Sequence, residues 1–267
     1  THTRSSAASD VYKRQLGYTY FKTADYELAL SSFKKVIEYK KYYSRTKIRD
    51  AYLRMGDSEF ALNRFWPAME QYNNGIAMST AQSDYALYQK SISYGFVDRY
   101  KQKITTLKEL IENHPSSAYI DDAYYELSSA YLVTGSFDAA VSTYDEMMGR
   151  FPKSPYLPRA ILNKGLILYN QEKLPRAQDV LKNLVVRYKR DAVAQEALGT
   201  LKEIAVDLDK VSEFTQWLRR MNIDTFSDNE LEQTAFAAAE KQFLTNRKKQ
   251  SKKSFISYLK SYPEGPN

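Results

Sequence analysis

The stretch Asp121–Pro155, DDAYYELSSAYLVTGSFDAAVSTYDEMMGRFPKSP, decides how the rest of the chain is read. Apolar side chains recur three and four residues apart at Tyr124, Leu127 and Tyr131, and again at Phe137, Val141, Tyr144, Met147 and Met148, a spacing that puts them on one face of an α-helix. Gly135 and Ser136 separate the two runs, as a glycine just past a helix C-terminus does. Pro152 ends the second run, and Ser154-Pro155 leads out of it. The segment is expected to be a helical hairpin, with Ser128 and Ala140 small enough to bring its helices close and Tyr131 and Tyr144 filling the space beside them. Neither helix can bury its apolar face alone, so the unit must stack on others of its kind.

Those others are present. Pro115, Pro152 and Pro263 are separated by 37 and 111 residues, and Ser91, Ser128 and Gly165 each by 37. Two further steps of 37 reach Lys202 and Ala239, while steps back of 35 and 39 reach Gly56 and Gly17. Twelve residues beyond these seven anchors stand Ala29, Ala68, Lys103, Ala140, Ala177, Phe214 and Ser251. Four further on come Phe33, Tyr72, Leu107, Tyr144, Leu181, Leu218 and Phe255. A small column followed by a large apolar one thus recurs seven times, and a fixed period of this size is the mark of a repeat architecture. Glu59, Lys103, Lys202 and Phe214 are the clearest departures. The fold class is all-α, with about seven helix-turn-helix units over residues 16–267.

Composition narrows the function. The 267 residues include 9 Gly, 8 Pro, 23 Tyr and no Cys, which fits neither a disordered nor a collagenous chain and excludes disulfides and thiolate metal sites. Lys and Arg number 39 against 32 Asp and Glu, a net +7 that permits a polyanion partner without arguing for one. No apolar run is long enough to span a bilayer. Residues 1–15, THTRSSAASDVYKRQ, lack the apolar periodicity and resemble translated sequencing-adapter read-through. They are expected to be a processing scar or a disordered arm outside the repeat array. At the other end, Tyr262-Pro263-Glu264-Gly265-Pro266-Asn267 reads as a linker opening an eighth unit, so the chain is expected to be a fragment of a longer array.

The two columns resemble the tetratricopeptide repeat, most clearly in LGYTYFKTADYELALSSFKKV (Leu16–Val36) and in Asp121–Pro155. The usual period is about 34 residues; the longer one here, with its P-x-S linkers, resembles bacterial envelope members such as the outer-membrane assembly lipoprotein and the Tol-Pal partner. The resemblance implies a right-handed superhelical solenoid whose first helices line a concave wall, and a periplasmic or outer-membrane-associated setting, with the cytoplasm as alternative. Residues three before, one after, and four or five after each anchor then face inward. They are Tyr18, Phe21, Phe60, Tyr88, Ile92, Phe96, Tyr125, Leu132 and Tyr169, followed by Glu203, Asp207, Phe236, Glu240 and Phe243. This predicts a groove that is aromatic through its middle and acidic toward its C-terminal end, suited to a partner peptide or helix because tyrosine offers contact area at low entropic cost. The competing reading is that these rings pack between neighbouring repeats.

Other chemistries find little material. Family members that grip the C-terminal carboxylate of chaperones use Lys and Asn at places that here hold Arg14, Tyr18, Leu53, Asp57, Tyr125 and Ser129, so that clamp is missing. Imidazole is limited to His2 and His114, and His114 reads as a loop residue. There is no Cys nucleophile, Ser-His-acid set or phosphate-binding glycine loop. Glu196, Glu203, Asp207 and Glu240 could pair as acid and base, but read better as solvated groove residues. No enzyme activity and no cofactor are expected. The basic residues Lys34, Lys35, Lys40 and Lys41, then Arg176, Lys182, Arg187, Lys189 and Arg190, then Arg247, Lys248, Lys249, Lys252 and Lys253, fall on second, outer helices. The function expected is a non-catalytic protein-binding scaffold. The alternative is a polyanion-binding solenoid using those cations, and glycan binding by the aromatic stripe is a third reading.

Overall fold

The computed structural model describes residues 2–263 and Gly265, with side chains from Tyr12 onward. Among these residues there are fourteen α-helices, two three-residue 3-10 helices and no strand. The chain forms two compact units, Thr1–Phe151 and Pro152–Asn267. In the first, four hairpins follow one another: α1 (His2–Lys22) with α2 (Tyr26–Glu38), α3 (Arg45–Ala61) with α4 (Phe65–Met78), α5 (Asp84–Phe96) with α6 (Tyr100–Asn113), and α7 (Ile120–Val133) with α8 (Phe137–Arg150). In the second are three: α9 (Leu157–Asn170) with α10 (Leu174–Arg187), α11 (Ala192–Asp207) with α12 (Val211–Arg220), and α13 (Asp228–Leu244) with α14 (Lys248–Ser261). In each unit every helix packs on the next in sequence, and the seven expected hairpins are all present.

One boundary differs from the sequence reading. Residues 2–15 are helical and continuous with the rest of α1, so residue 16 is not an element boundary. The stretch contains neither Gly nor Pro, and a helix fixed by packing over 16–22 can propagate through it at low cost. Arg14, inside that stretch, pairs with Asp50 of α3 at 3.1 Å. The side chain of His2, and Glu264, Pro266 and Asn267 of the expected eighth linker, lie outside the described residues.

The small and large columns meet face to face. A Cβ on Gly17 would sit 2.9 Å from the Phe33 ring, one on Gly56 would sit 2.6 Å from Tyr72, and one on Gly165 would sit 2.4 Å from Leu181. Each partner is fully buried, so the anchor is small because a large side chain sixteen residues on occupies its space. In the seventh hairpin Ser251 donates to the carbonyl of the anchor Ala239 at 3.3 Å.

The turns obey a stricter rhythm than the sequence revealed. Seven residues after every anchor the backbone enters the left-handed region, at Ala24, Asn63, Asp98, Gly135, Glu172, Asp209 and Asn246, with φ between 56° and 72°. The next amide reaches back five residues, as in Ser136 to Tyr131 (2.8 Å) and Lys173 to Leu168 (2.9 Å). This is the Schellman closure of a helix C-terminus. Only Gly135 carries the residue type that announces it; Asn and Asp tolerate the conformation, and Ala24 and Glu172 carry its steric cost. Replacing Glu172 with Gly should therefore raise stability, by about 0.5–1 kcal/mol after the extra entropy of an unfolded glycine is subtracted. A urea midpoint unchanged or lowered in Glu172→Gly would show that no strain is stored there.

The irregular positions are compensated locally. Lys103, where other hairpins have a small residue, is buried; its stem lies beside Gly95, whose Cβ would be 3.2 Å from Nζ, and its ammonium pairs with Glu126 of α7. Glu59 is buried, with Arg64 at 3.6 Å. In the sixth hairpin Phe214 is buried in the small column, stacked on Trp217 at 6.0 Å and edge-on to Phe226 at 6.1 Å. Lys202 lies over the Phe226 ring instead of offering a small contact. The P-x-S linkers also have a physical role: the hydroxyls of Ser117 and Ser154 accept from the amides of Tyr119 (3.1 Å) and Tyr156 (3.3 Å), forming the turn that starts the next helix.

Candidate functional site

In the first unit the expected groove residues fall into two sets. Those four or five residues after an anchor sit at the hairpin turns and pack on the start of the second helix. Phe21 is edge-on to Tyr26, and Phe60 is edge-on to Phe65 at 5.3 Å. Phe96 stacks on Phe65 of the preceding hairpin at 4.6 Å and meets Phe60 at 5.4 Å, yet remains 60% exposed. Leu132 is half-buried, as is Ile92 of the second set.

The second set, three before or one after an anchor, lines the first helices. Tyr88 is half-exposed and stacks on Tyr119 at 5.3 Å with the rings 14° from parallel. Tyr125 is half-exposed, with its ring 6.4 Å from Tyr144. Tyr18 differs: its ring is edge-on to Phe33, and its hydroxyl donates to Asp50 at 2.6 Å. That hydroxyl is already engaged in holding two hairpins together.

Beneath these rings runs a polar network that the sequence rule missed. Asp50, Arg54 and Asp57 lie at successive turns of one face of α3. Asp50 takes Arg14 and Tyr18 from α1, and Arg54 pairs with Asp57 at 2.5 Å. Asp57 also accepts from Tyr72 of α4 (3.0 Å) and Tyr85 of α5 (2.7 Å), so three hairpins are tied through one helix. Burial raises the Asp57 carboxyl above the ordinary carboxylate value, against the pull of Arg54 and the two tyrosine donors. Burial and the neighbouring carboxylate push the hydroxyls of Tyr72 and Tyr85 up as well, keeping them protonated donors. The i, i+4, i+7 spacing of the charged residues was the available signal. A cleft of about 660 Å³ opens over this network, walled by Arg14, Asp50, Leu53, Arg54, Tyr85 and Tyr119.

The second unit brings Tyr169 together with two of the expected acids. Tyr169 donates to Asp207 at 3.5 Å, and burial followed by the charges of Glu203 and Asp207 raises its hydroxyl. The acidic wall expected there is only half the picture: Lys241 pairs with Asp207 at 3.3 Å, and Lys241 and Arg247 line the same cavity of about 520 Å³. Glu240 and Phe243 are exposed on α13, and Phe236 is half-buried against Phe255 and Tyr258. Glu196 is paired with Arg159 at 2.7 Å.

One contact resembles a catalytic dyad. The Ser83 hydroxyl lies 3.0 Å from Nε2 of His114, a pairing between the two ends of the third hairpin that the sequence did not suggest. That hydroxyl, buried at 3% exposure, donates its single proton to the Thr80 carbonyl at 2.7 Å. While that proton is held by the Thr80 carbonyl, Ser83 can only accept from His114, the opposite of activation by a general base. The pair pins the linker before α5 to the end of α6. The cations of α14 (Lys248, Lys249, Lys252, Lys253) are exposed, as are Lys34, Lys35, Lys40 and Lys41. Lys182 instead lays its ammonium over Trp217.

Two segments, residues 15–43 and 85–117, match models of the tetratricopeptide repeat. No curated protein matches the chain in sequence. Among solved structures, a tetratricopeptide repeat protein from Parabacteroides merdae is similar with a TM-score of 0.61 at 13% identity, over 95% of this chain and 93% of that one. A MamA protein gives 0.59 at 19% identity over 68% and 93% of the two chains. MamA from Desulfovibrio magneticus RS-1 gives 0.56 at 15% over 68% and 97%. Likenesses at such low identity establish the fold alone.

Proposed function

We propose, from the premise that this chain carries tetratricopeptide repeats, that it is a non-catalytic scaffold holding a segment of a partner protein against its first-helix aromatic residues. The observation that carries this reading is the half-exposed wall of the first unit, where Tyr88 stacks on Tyr119 beside the cleft that Tyr85 and Tyr119 line. Rings fixed by a neighbouring hairpin lose little entropy on contact with a partner, which is what makes aromatic residues strong interface anchors. We place the scaffold in a bacterial envelope setting; the 37-residue spacing and the P-x-S linkers support that placement.

The exposed lysines of α14 favour the alternative, a polyanion-binding array, and a direct comparison separates the two. Tyr88→Ala with Tyr125→Ala should weaken capture of the partner by at least about tenfold, two anchor side chains being worth about 1 kcal/mol or more each. Lys248→Glu with Lys249→Glu should leave it unchanged, and affinity should change little from low to moderate salt. The reverse pattern, with steep salt dependence, would replace the protein-binding reading with the polyanion one.

A further inference from the structure

We propose that the first turn of α3 and the short helix Thr80–Gln82 form a seat for carboxylate side chains of an acidic partner segment, an inference that rests on the protein-binding reading above. Arg45 and Arg49 stand one turn apart on α3 and line a cavity of about 530 Å³ with Thr46, Ser79, Thr80 and Gln82. No acidic side chain contributes to that wall. The cavity shares Thr46, Arg49 and Gln82 with the tyrosine-walled cleft, so the two adjoin.

The charges of this region do not cancel internally. Arg14 and Arg54 are engaged by Asp50 and Asp57, and Asp84 accepts from Ser117 at 2.8 Å. Among the described residues Arg45, Lys47 and Arg49 form no ion pair. The half-buried Arg49 donates to the Gln82 carbonyl at 2.9 Å, and its Nε is shielded from solvent without an acceptor. Two cations, Arg45 and Arg49, therefore line this cavity with Lys47 on the adjoining cleft, and the least exposed of them, Arg49, is met only by a neutral oxygen. A carboxylate can bind a guanidinium through two parallel hydrogen bonds while neutralising it.

The adjoining cleft argues for a protein ligand over a nucleic acid. Asp50 and Asp84 lie in it beside Leu53, Tyr85 and Tyr119. Asp50 is neutralised by Arg14, but a phosphate backbone, charged at every residue, would be driven against Asp84, which among the described residues is met only by the Ser117 hydroxyl. A peptide can put its acids at Arg45 and Arg49 and lay neutral or aromatic residues along the tyrosines. The seat is built from an inter-hairpin linker and a helix start, away from the places that correspond to the chaperone-carboxylate clamp.

The test is selection of a random displayed peptide library on the full chain, on Arg45→Glu/Arg49→Glu and on Arg45→Gln/Arg49→Gln, with circular dichroism confirming the helical fold of each. The wild-type chain should select peptides enriched in Asp and Glu. The best of these, made synthetically and measured by fluorescence anisotropy, should bind at least about tenfold more weakly to the Glu variant, less weakly to the Gln variant, and equally to Lys248→Glu/Lys249→Glu. Should the Glu variant fail to fold, the Gln variant decides: weaker binding supports the seat and unchanged binding overturns it. Selected peptides without acidic enrichment, or enrichment that survives both substitutions, would overturn the seat while leaving the protein-binding reading in place. Failure to select any peptide, with tight binding of a labelled single-stranded oligonucleotide, would overturn both.

Discussion

Asp57→Ala should destabilise the first unit by about 3–5 kcal/mol, the loss expected when one member of a buried ion pair is removed. The carboxylate is 8% exposed and is the common acceptor for Arg54, Tyr72 and Tyr85. Its loss leaves two tyrosine hydroxyls without that acceptor, worth about 1 kcal/mol each, and leaves Arg54 with Asp50 at 3.8 Å. That second carboxylate places the expectation toward the lower end of the range. Hydrogen exchange of the α3, α4 and α5 amides is the appropriate readout, because repeat arrays open locally. A change below about 1 kcal/mol would show that the network is not what ties the three hairpins.

The pH dependence of the same residue has a definite sign. Burial raises the Asp57 carboxyl in the folded chain, so between its ordinary value and the raised one the folded state holds a proton that the unfolded state has released. Stability from this group is complete below the unfolded value and falls as pH rises through the folded one. Asp57→Asn cannot ionise and should lack that slope, so the advantage of the wild type over it should shrink with rising pH and then level off. An advantage that grows instead would mean that Arg54 outweighs burial.

Gly165→Val and Leu181→Ala should each be strongly destabilising alone and partly rescue one another. A Cβ at 165 would lie 2.4 Å from Cδ2 and 2.7 Å from Cγ of Leu181, which is fully buried. Overpacking of this kind costs about 1–3 kcal/mol, and truncating a buried leucine about 2–5 kcal/mol. In the double variant the valine enters the space the leucine vacates, so the combined loss should fall short of the sum by at least about 1 kcal/mol. Urea unfolding of the four chains measures this directly. Strict additivity would mean that the two columns do not compete for one volume.

Much of this molecule is legible as a string because a repeated hairpin is specified locally. The small column at Gly17, Gly56 and Gly165 and the large one at Phe33, Tyr72 and Leu181 are separated by sixteen residues, a distance set by one turn between two helices. The turns were visible only at Gly135, since Ala24 and Glu172 hold the same left-handed conformation without announcing it. The continuation of α1 through residues 2–15 was also missed, because helix propagation needs no apolar stripe of its own once a neighbouring segment is packed.

The candidate site divides in the same way. Position on a first helix, read from the register, picked out Tyr88, Tyr125 and Tyr169 as groove candidates, and each is half-exposed. It could not say that Tyr18 is bound to Asp50, that Phe96 belongs to a turn cluster, or that Lys241 offsets Asp207. Those outcomes depend on pairs more than thirty residues apart, whose chemistry is set by which hairpin stacks beside which. The sequence alone determined the helices and their pairing into seven hairpins, because helix period and side-chain volume act over a few turns. Only the tertiary structure decided which charges are spent inside the network around Asp57 and which, at Arg45 and Arg49, are left for something else, because neutralisation depends on distances between side chains that the chain brings together only when it stacks.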